Sequence, residues 1–165
     1  IDAKSGVSGA GKNPSETTHY CQINDNVHAY NPFKHRHMPE IAEKVKILKG
    51  KDVSINFVPH LLPLTRGMLV SVFATLKEDI DVNEVLNNKY KDCEFVRIRE
   101  KPVDVKSVAG TNFCDLFVAK NGKALFVSSA IDNLLRGASS QAVVNANILC
   151  GYEEYEGIPK IAYVP

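Results

Sequence analysis

Apolar positions recur along the chain at two periods, and the switches between them mark its elements. From Pro39 they fall three and four residues apart, so Ile41, Val45 and Leu48 share one face of a predicted helix. Proline suits the first helical position, Glu40 sits in the first turn, Lys46 and Lys49 lie near the end, and Gly50 stops it. The pattern then turns strand-like. Two apolar runs, SINFVPHLLPLTRG and MLVSVFATL, are broken by Pro59, Pro63 and Gly67, and predict strands at about Val53–Val58 and Met68–Leu76. Asp81 with Glu84 makes a capping box for a short helix through Tyr90, and Glu94 to Arg99 suits a half-exposed strand.

The clearest local signal is a hairpin. Asn112–Lys120 and Lys123–Ser129 are rich in Phe, Val and Leu, and Asn121-Gly122 between them suits a two-residue type I′ turn. After Ala130 the period changes back: Leu134, Leu135, Ala138, Ala142, Ala146 and Leu149 predict a long helix ended by Gly151. Its middle, GASSQA, is small-sided and permits close approach by another element. At the N-terminus, Gly6, Gly9 and Gly11 favour a tight loop over Ile1–Ser15, with a first strand at Cys21–Tyr30. Lys160–Val164 predicts a last short strand. Together these elements give an α+β fold: a mixed, largely antiparallel sheet with helices packed on one face.

Composition narrows this picture without redirecting it. The 165 residues fit a single domain with a real core, and 44% hydrophobic with 24% charged residues are ordinary globular values. A net charge of +1 with interspersed signs gives no signal for nucleic acid, and no apolar run is long enough to span a membrane. Cys21, Cys93, Cys114 and Cys150 are scattered without a C-x-x-C pair, which predicts reduced thiols in a cytosol-like compartment. Cys114 and Cys150 fall inside apolar segments and read as core residues; none of the four has a nucleophile context.

Candidate chemistry concentrates in YNPFKHRHMPEI, Tyr30–Ile41. Here His35 and His37 flank Arg36, and Lys34 precedes them. On an extended backbone the two histidines share a side and could pair on a metal, but His19, His28 and His60 supply no third ligand at a diagnostic spacing. Acid–base work is the stronger reading for His37, because a helix N-terminus disfavours imidazolium and leaves a neutral ring that accepts a proton. Arg36 and Lys34 suit an anionic group; a solvated basic turn is the bland alternative. The N-terminal glycines match G-x-x-x-x-G-K at Gly6–Lys12, yet Asn13 stands where Ser or Thr must reach magnesium, Pro14 obstructs the following helix, and too few residues precede Gly6 for a core strand. What survives is a loop able to turn N–H groups toward an anion, with Ser5, Ser8 and Lys12 nearby; a flexible linker is the competing reading. Arg66 is a second candidate anion contact. Asp132 is a natural N-cap, and Asn133 would expose an amide at the sheet edge.

In order, SGVSGAGK, KHRHMPEI, PHLLPLTRGML and SSAIDNLLRGASSQAVVNANILCGY cover most of the chain, and together they resemble the N-acetyl-gamma-glutamyl-phosphate reductase family. Lys12 and the second serine of GASSQA depart modestly from its pattern. The family's G-x-G-x-x-G fingerprint and its glycine-cysteine-tyrosine-proline segment do not occur. The resemblance therefore implies a single catalytic and dimerisation domain over residues 1–165, like the C-terminal domain of glyceraldehyde-3-phosphate and aspartate-semialdehyde dehydrogenases, with the N-terminal dinucleotide-binding domain outside this chain.

The family chemistry so implied is attack by a cysteine thiolate on an acyl phosphate, loss of phosphate, and hydride delivery from NADPH to the thioester, which makes the enzyme NADP-dependent. Proton handling falls to His37, or His35 as the alternative. Ser5, Ser8 and Gly9 would line the substrate pocket, Arg36 and Arg66 would contact anions, and Asn133 and Gly137 would meet the cofactor. The resemblance further implies no metal, a homo-oligomer, its own nucleotide-binding domain as partner, no nucleic acid or membrane, and a cytoplasmic location (mitochondrial matrix or plastid in a eukaryote). Two other readings stay open: a non-catalytic dimerisation and anion-binding module, built on the sheet and the small-sided helix, and a metal-dependent hydrolase using His35 and His37.

Overall fold

A computed structural model describes residues 1–162. Seven strands form one mixed sheet in the order β2-β3-β1-β4-β7-β6-β5. They are β1 (Asp2–Gly6), β2 (His28–Ala29), β3 (Val58–Leu62), β4 (Met68–Thr75), β5 (Val96–Ile98), β6 (Cys114–Asn121) and β7 (Ala124–Ile131). Pairing is antiparallel except for β1 with β3 and β5 with β6. The helices are α1 (Tyr20–Ile23), α2 (His37–Lys49), α3 (Val82–Tyr90) and α4 (Ser140–Cys150). The α+β class and the mixed, mainly antiparallel sheet agree with the sequence reading.

Register sorts the faces. Because side chains alternate along a strand, Ala3, Ser5, Pro59, Leu61, Val70 and Val72 look one way, while Asp2, Lys4, His60, Ser71 and Phe73 look the other. On the first face Ala3, Pro59 and Leu61 are buried. On the second, Phe73 stays 68% exposed, with the tilted Phe126 ring beside it at 5.3 Å and Phe117 a further 6.4 Å from Phe126. A small core gathers Phe95, Val144 and Ile158 against Phe113, which seats α4 on the β5 edge.

Several boundaries differ from the sequence expectation. The N-terminal stretch is not all loop, since Asp2–Gly6 is a central strand flanked by β3 and β4. DAKSG carries little strand propensity of its own, and its two neighbours supply the pairing. That also corrects the statement that too few residues precede Gly6 for a core strand, although a 3₁₀ turn at Val7–Ala10, not a helix, follows it. Cys21 lies in α1, and only His28–Ala29 of the expected first strand pairs. β3 begins where the expected strand ended: Pro59 sits inside it, buried, its carbonyl accepting from Tyr30 N–H at 3.0 Å. α2 starts at His37, two residues before Pro39.

The hairpin forms, but Asn121 pairs with Ala124, so the turn is Gly122-Lys123. Gly122 alone of the two takes positive φ (54°), as a type II′ turn asks of its first central residue. The last helix opens with a π-helical turn, Leu135–Ser139, before α4 and its left-handed Gly151 stop. Cys150 is exposed rather than in the core, and Cys114 is half-buried. Residues 160–162 form no strand, and the rest of the Lys160–Val164 segment lies outside the described residues.

Candidate active site

The candidate residues fall into two corners of the β1–β3 region. The first lies where β1 runs out. Gly6 N–H donates to Gly67 O and Val7 N–H to Leu64 O, both at 2.9 Å, so the two loops touch backbone to backbone. A Cβ on Gly6 would stand 2.6 Å from Leu64 O, which only glycine avoids. Gly67 takes φ +114°, and a Cβ there would meet the Val105 side chain at 2.8 Å.

Into this contact projects the end of β7. The Asn133 Nδ2 donates to Ser8 Oγ at 2.9 Å, and its Oδ1 accepts from Gly67 N–H at 2.7 Å. Asn133 is thus buried and bonded at both ends, not an amide exposed at the sheet edge. Asp132 beside it is fully buried. Its Oδ1 accepts from Leu134 and Leu135 N–H at 2.8 and 2.9 Å, and its Oδ2 from Gly110 N–H at 2.7 Å and Arg66 Nη1 at 3.1 Å. Burial pushes this carboxyl up, but the amides of Gly110, Leu135 and Leu134 and the Arg66 guanidinium outweigh it and hold the group below the usual carboxylate range. Ser5 and Gly9 complete the corner: a Cβ on Gly9 would lie 3.0 Å from Ser5 Oγ and 3.5 Å from Asn133 Nδ2. The Gly137 N–H is engaged by Asp132 O at 2.9 Å. Sequence reasoning named Ser5, Ser8, Gly9, Arg66, Asn133 and Gly137, and these gather here; it missed Gly67 and the reach of Asp132 beyond helix capping.

The second corner holds the histidines. Phe33 N–H donates to Phe57 O at 3.1 Å, which turns the chain back beside the residue before β3. The His35 ring lies 5.4 Å from both the Tyr30 and Phe57 rings and 4.7 Å from that of His37. His35 Nδ1 accepts from His37 N–H at 3.2 Å, doing at the start of α2 what a side-chain cap does, since Arg36 at the N-cap makes no such bond. An accepting Nδ1 places the neutral ring's proton on Nε2. Burial lowers the His35 pKa, and the neighbouring charges of His37 and Arg36 lower it further against a smaller opposing pull from Glu40. Tyr30 is raised by burial, with Arg36 opposing. His37 and Arg36 are exposed.

The structure does not bring the two corners into contact. The rings sit by Phe57, while the glycine loop leaves β1 opposite Leu62. Five residue steps of extended chain separate these points, about 16 Å. Among the described residues no group of three His, Cys, Asp or Glu side chains is placed to hold a metal. Burial raises the Cys114 thiol, with Arg136 pulling it down and Asp115 pushing it up. A crevice of about 580 Å³ between Asp79–Asn83 and Ala119–Lys120 lies near the hairpin turn, away from both corners.

Comparison with known proteins bears on what these corners belong to. A family model described as semialdehyde dehydrogenase, dimerisation domain, matches residues 1–133. The N-acetyl-gamma-glutamyl-phosphate reductase of Sulfurovum sp. (strain NBC37-1) is 67% identical over all 165 residues, which cover 49% of that protein. The reductase of the same name from Wolinella succinogenes is 56% identical, again over 100% of this chain and 49% of its own length. The chain therefore spans about half the length of the curated relatives it matches. Among solved structures, aspartate semialdehyde dehydrogenase II from Vibrio cholerae superposes with a TM-score of 0.68 at 15% identity, over 91% of this chain and 54% of that one, a likeness of fold.

Proposed function

The chain belongs to the semialdehyde dehydrogenase, dimerisation domain, family, and we propose that it forms the C-terminal catalytic and dimerisation half of an NADP-dependent N-acetyl-gamma-glutamyl-phosphate reductase. The observation that carries this reading is the match to reductases over its whole length, with about half of each relative left over. The left-over half is where the reading puts the nucleotide-binding domain and the nucleophilic cysteine.

On this reading the glycine corner receives the acyl phosphate. Ser5, Ser8 and Arg66 offer hydroxyl and guanidinium donors to its oxygens, and Gly9 keeps the loop open beside them. The histidine corner handles the proton. The sequence pattern favoured His37; the geometry adds weight to His35, whose ring is walled by Tyr30 and Phe57, pinned at Nδ1 and left with Nε2–H as the donor. Arg36 adds positive charge there.

For the cofactor, Asn133 retains one Nδ2 proton and one Oδ1 lone pair beyond its two bonds. That fits a single contact to a carboxamide, with Gly137 packed behind it; the rest of a dinucleotide falls to the preceding domain. The cofactor in its reduced form, NADPH, would supply the hydride when bound.

Steady-state assay of the full-length protein with the acyl phosphate and NADPH tests the proposal. Turnover is expected, residues 1–165 alone should give none, and removal of the proton-handling ring should lower kcat on the order of a hundredfold or more. His35→Gln and His37→Gln made separately identify which ring that is; near-wild-type rates in both would overturn the assignment to this corner. A full-length protein that dimerises and binds phosphate without reducing the substrate would favour the module reading instead.

A further inference from the structure

We infer that Asp132 is a positioning residue that aims Arg66 at the anion-binding loop, an inference that rests on the reading of the glycine corner as the acyl-phosphate site. The buried carboxylate accepts four bonds from three separate segments: Leu134 and Leu135 N–H at the start of the π-turn, Gly110 N–H from the loop before β6, and Arg66 Nη1 from the β3–β4 loop. Three of these donors are backbone amides, so the carboxylate has no freedom to swing. The Arg66 guanidinium is therefore held at one end by a fixed group.

One of its five N–H donors is engaged by Asp132. Its side chain is 27% exposed while the carboxylate that holds it is fully buried, so the guanidinium is anchored from within and is not itself sealed off. The next residue in each segment ties this pair to the loop. Gly67, after Arg66, donates to Asn133, after Asp132, and Asn133 reaches on to Ser8 in the loop. Arg66–Gly67 and Asp132–Asn133 thus form a two-rung ladder with the phosphate-facing loop on its far side.

The inference predicts a sign that charge alone does not. Asp132 is negative and close to the guanidinium, so by electrostatics its removal should strengthen anion binding. If its role is aim, removal should weaken binding in spite of the lost negative charge, by about ten- to a hundredfold.

The test uses the full-length protein, inorganic phosphate as probe in titration calorimetry, and the acyl phosphate in the assay. Asp132→Asn should raise the phosphate Kd and the KM for the acyl phosphate by that factor while kcat changes severalfold at most. Arg66→Lys, which keeps the charge, the three amide bonds to Asp132 and thus the fold, should do the same, and the double variant should be no worse than the weaker-binding single variant. An unchanged or lower phosphate Kd in Asp132→Asn, or losses that multiply in the double variant, would overturn the inference. Phosphate binding by the wild type without acyl-phosphate turnover would sink the reductase reading and leave the aiming of Arg66 to be judged on the phosphate Kd.

Discussion

The glycine corner and the histidine corner are built by opposite means. In the first, backbone touches backbone, two consecutive buried side chains tie four segments together, and glycines stand where a Cβ cannot. In the second, two rings rest at a helix start, held by one hydrogen bond and by contacts with Tyr30 and Phe57, and His37 stays in solvent. A fixed corner suits a charge that must be met in one orientation. A corner with an exposed ring suits a proton whose donor and acceptor arrive with another part of the molecule. The difference teaches that preorganisation is distributed unevenly across this half of the proposed site.

The comparison breaks most severely at Asp132. Asp132→Ala removes a buried charge that four donors surround, and should destabilise the domain by roughly 3–5 kcal/mol, read as a fall in the urea midpoint; a loss near zero would mean that the corner is not rigid. Gly6→Ala comes next. Its new methyl would push against the Leu64 carbonyl, an overpacking strain of about 1–3 kcal/mol, and the Val7 and Gly6 amides should exchange faster with solvent if the loops separate.

The smallest effect belongs to the histidine corner and appears only with pH. His35 titrates below its ordinary 6.5 when folded, so it takes nothing from stability above that value. As pH falls through 6.5 the unfolded chain binds the proton first, and stability at this corner is lost progressively until the folded ring itself titrates. A protonated Nδ1 no longer accepts from His37. Exchange of the His37 and Met38 amides, corrected for intrinsic rates, should therefore rise between pH 7.5 and 5.5 while that of Gly67 holds; equal behaviour at both would erase the contrast.

What the sequence disclosed follows the same division. Local signals were legible: Asp81 caps α3 through Asn83 and Glu84 N–H, Gly50 and Gly151 stop α2 and α4 in the left-handed conformation, and Asp132 caps the turn that follows it. The list of residues in the glycine corner was legible from motifs. Their connections were not, because Gly67 with Asn133 and Arg66 with Asp132 join residues 66 apart in sequence. β1 escaped notice for a related reason: a strand of Asp, Ala, Lys, Ser and Gly owes its conformation to partners on both sides. β3 was displaced because Pro59 reads as a break, although its ring needs no donor where its carbonyl does the pairing.

The central place of β1 also has a consequence for how the molecule forms. During synthesis this strand leaves the ribosome among the first residues described here, yet its partners are Val58–Leu62 and Met68–Thr75. It must wait unpaired, with both edges bare, until those later residues have been made, whereas the two strands of the β6–β7 hairpin meet across a two-residue turn. The seam between β1 and its neighbours therefore closes over a much longer stretch of chain than the hairpin does, and until it closes the strand is open to wrong pairing. A strand this polar and glycine-bearing is a poor template for aggregation while it waits.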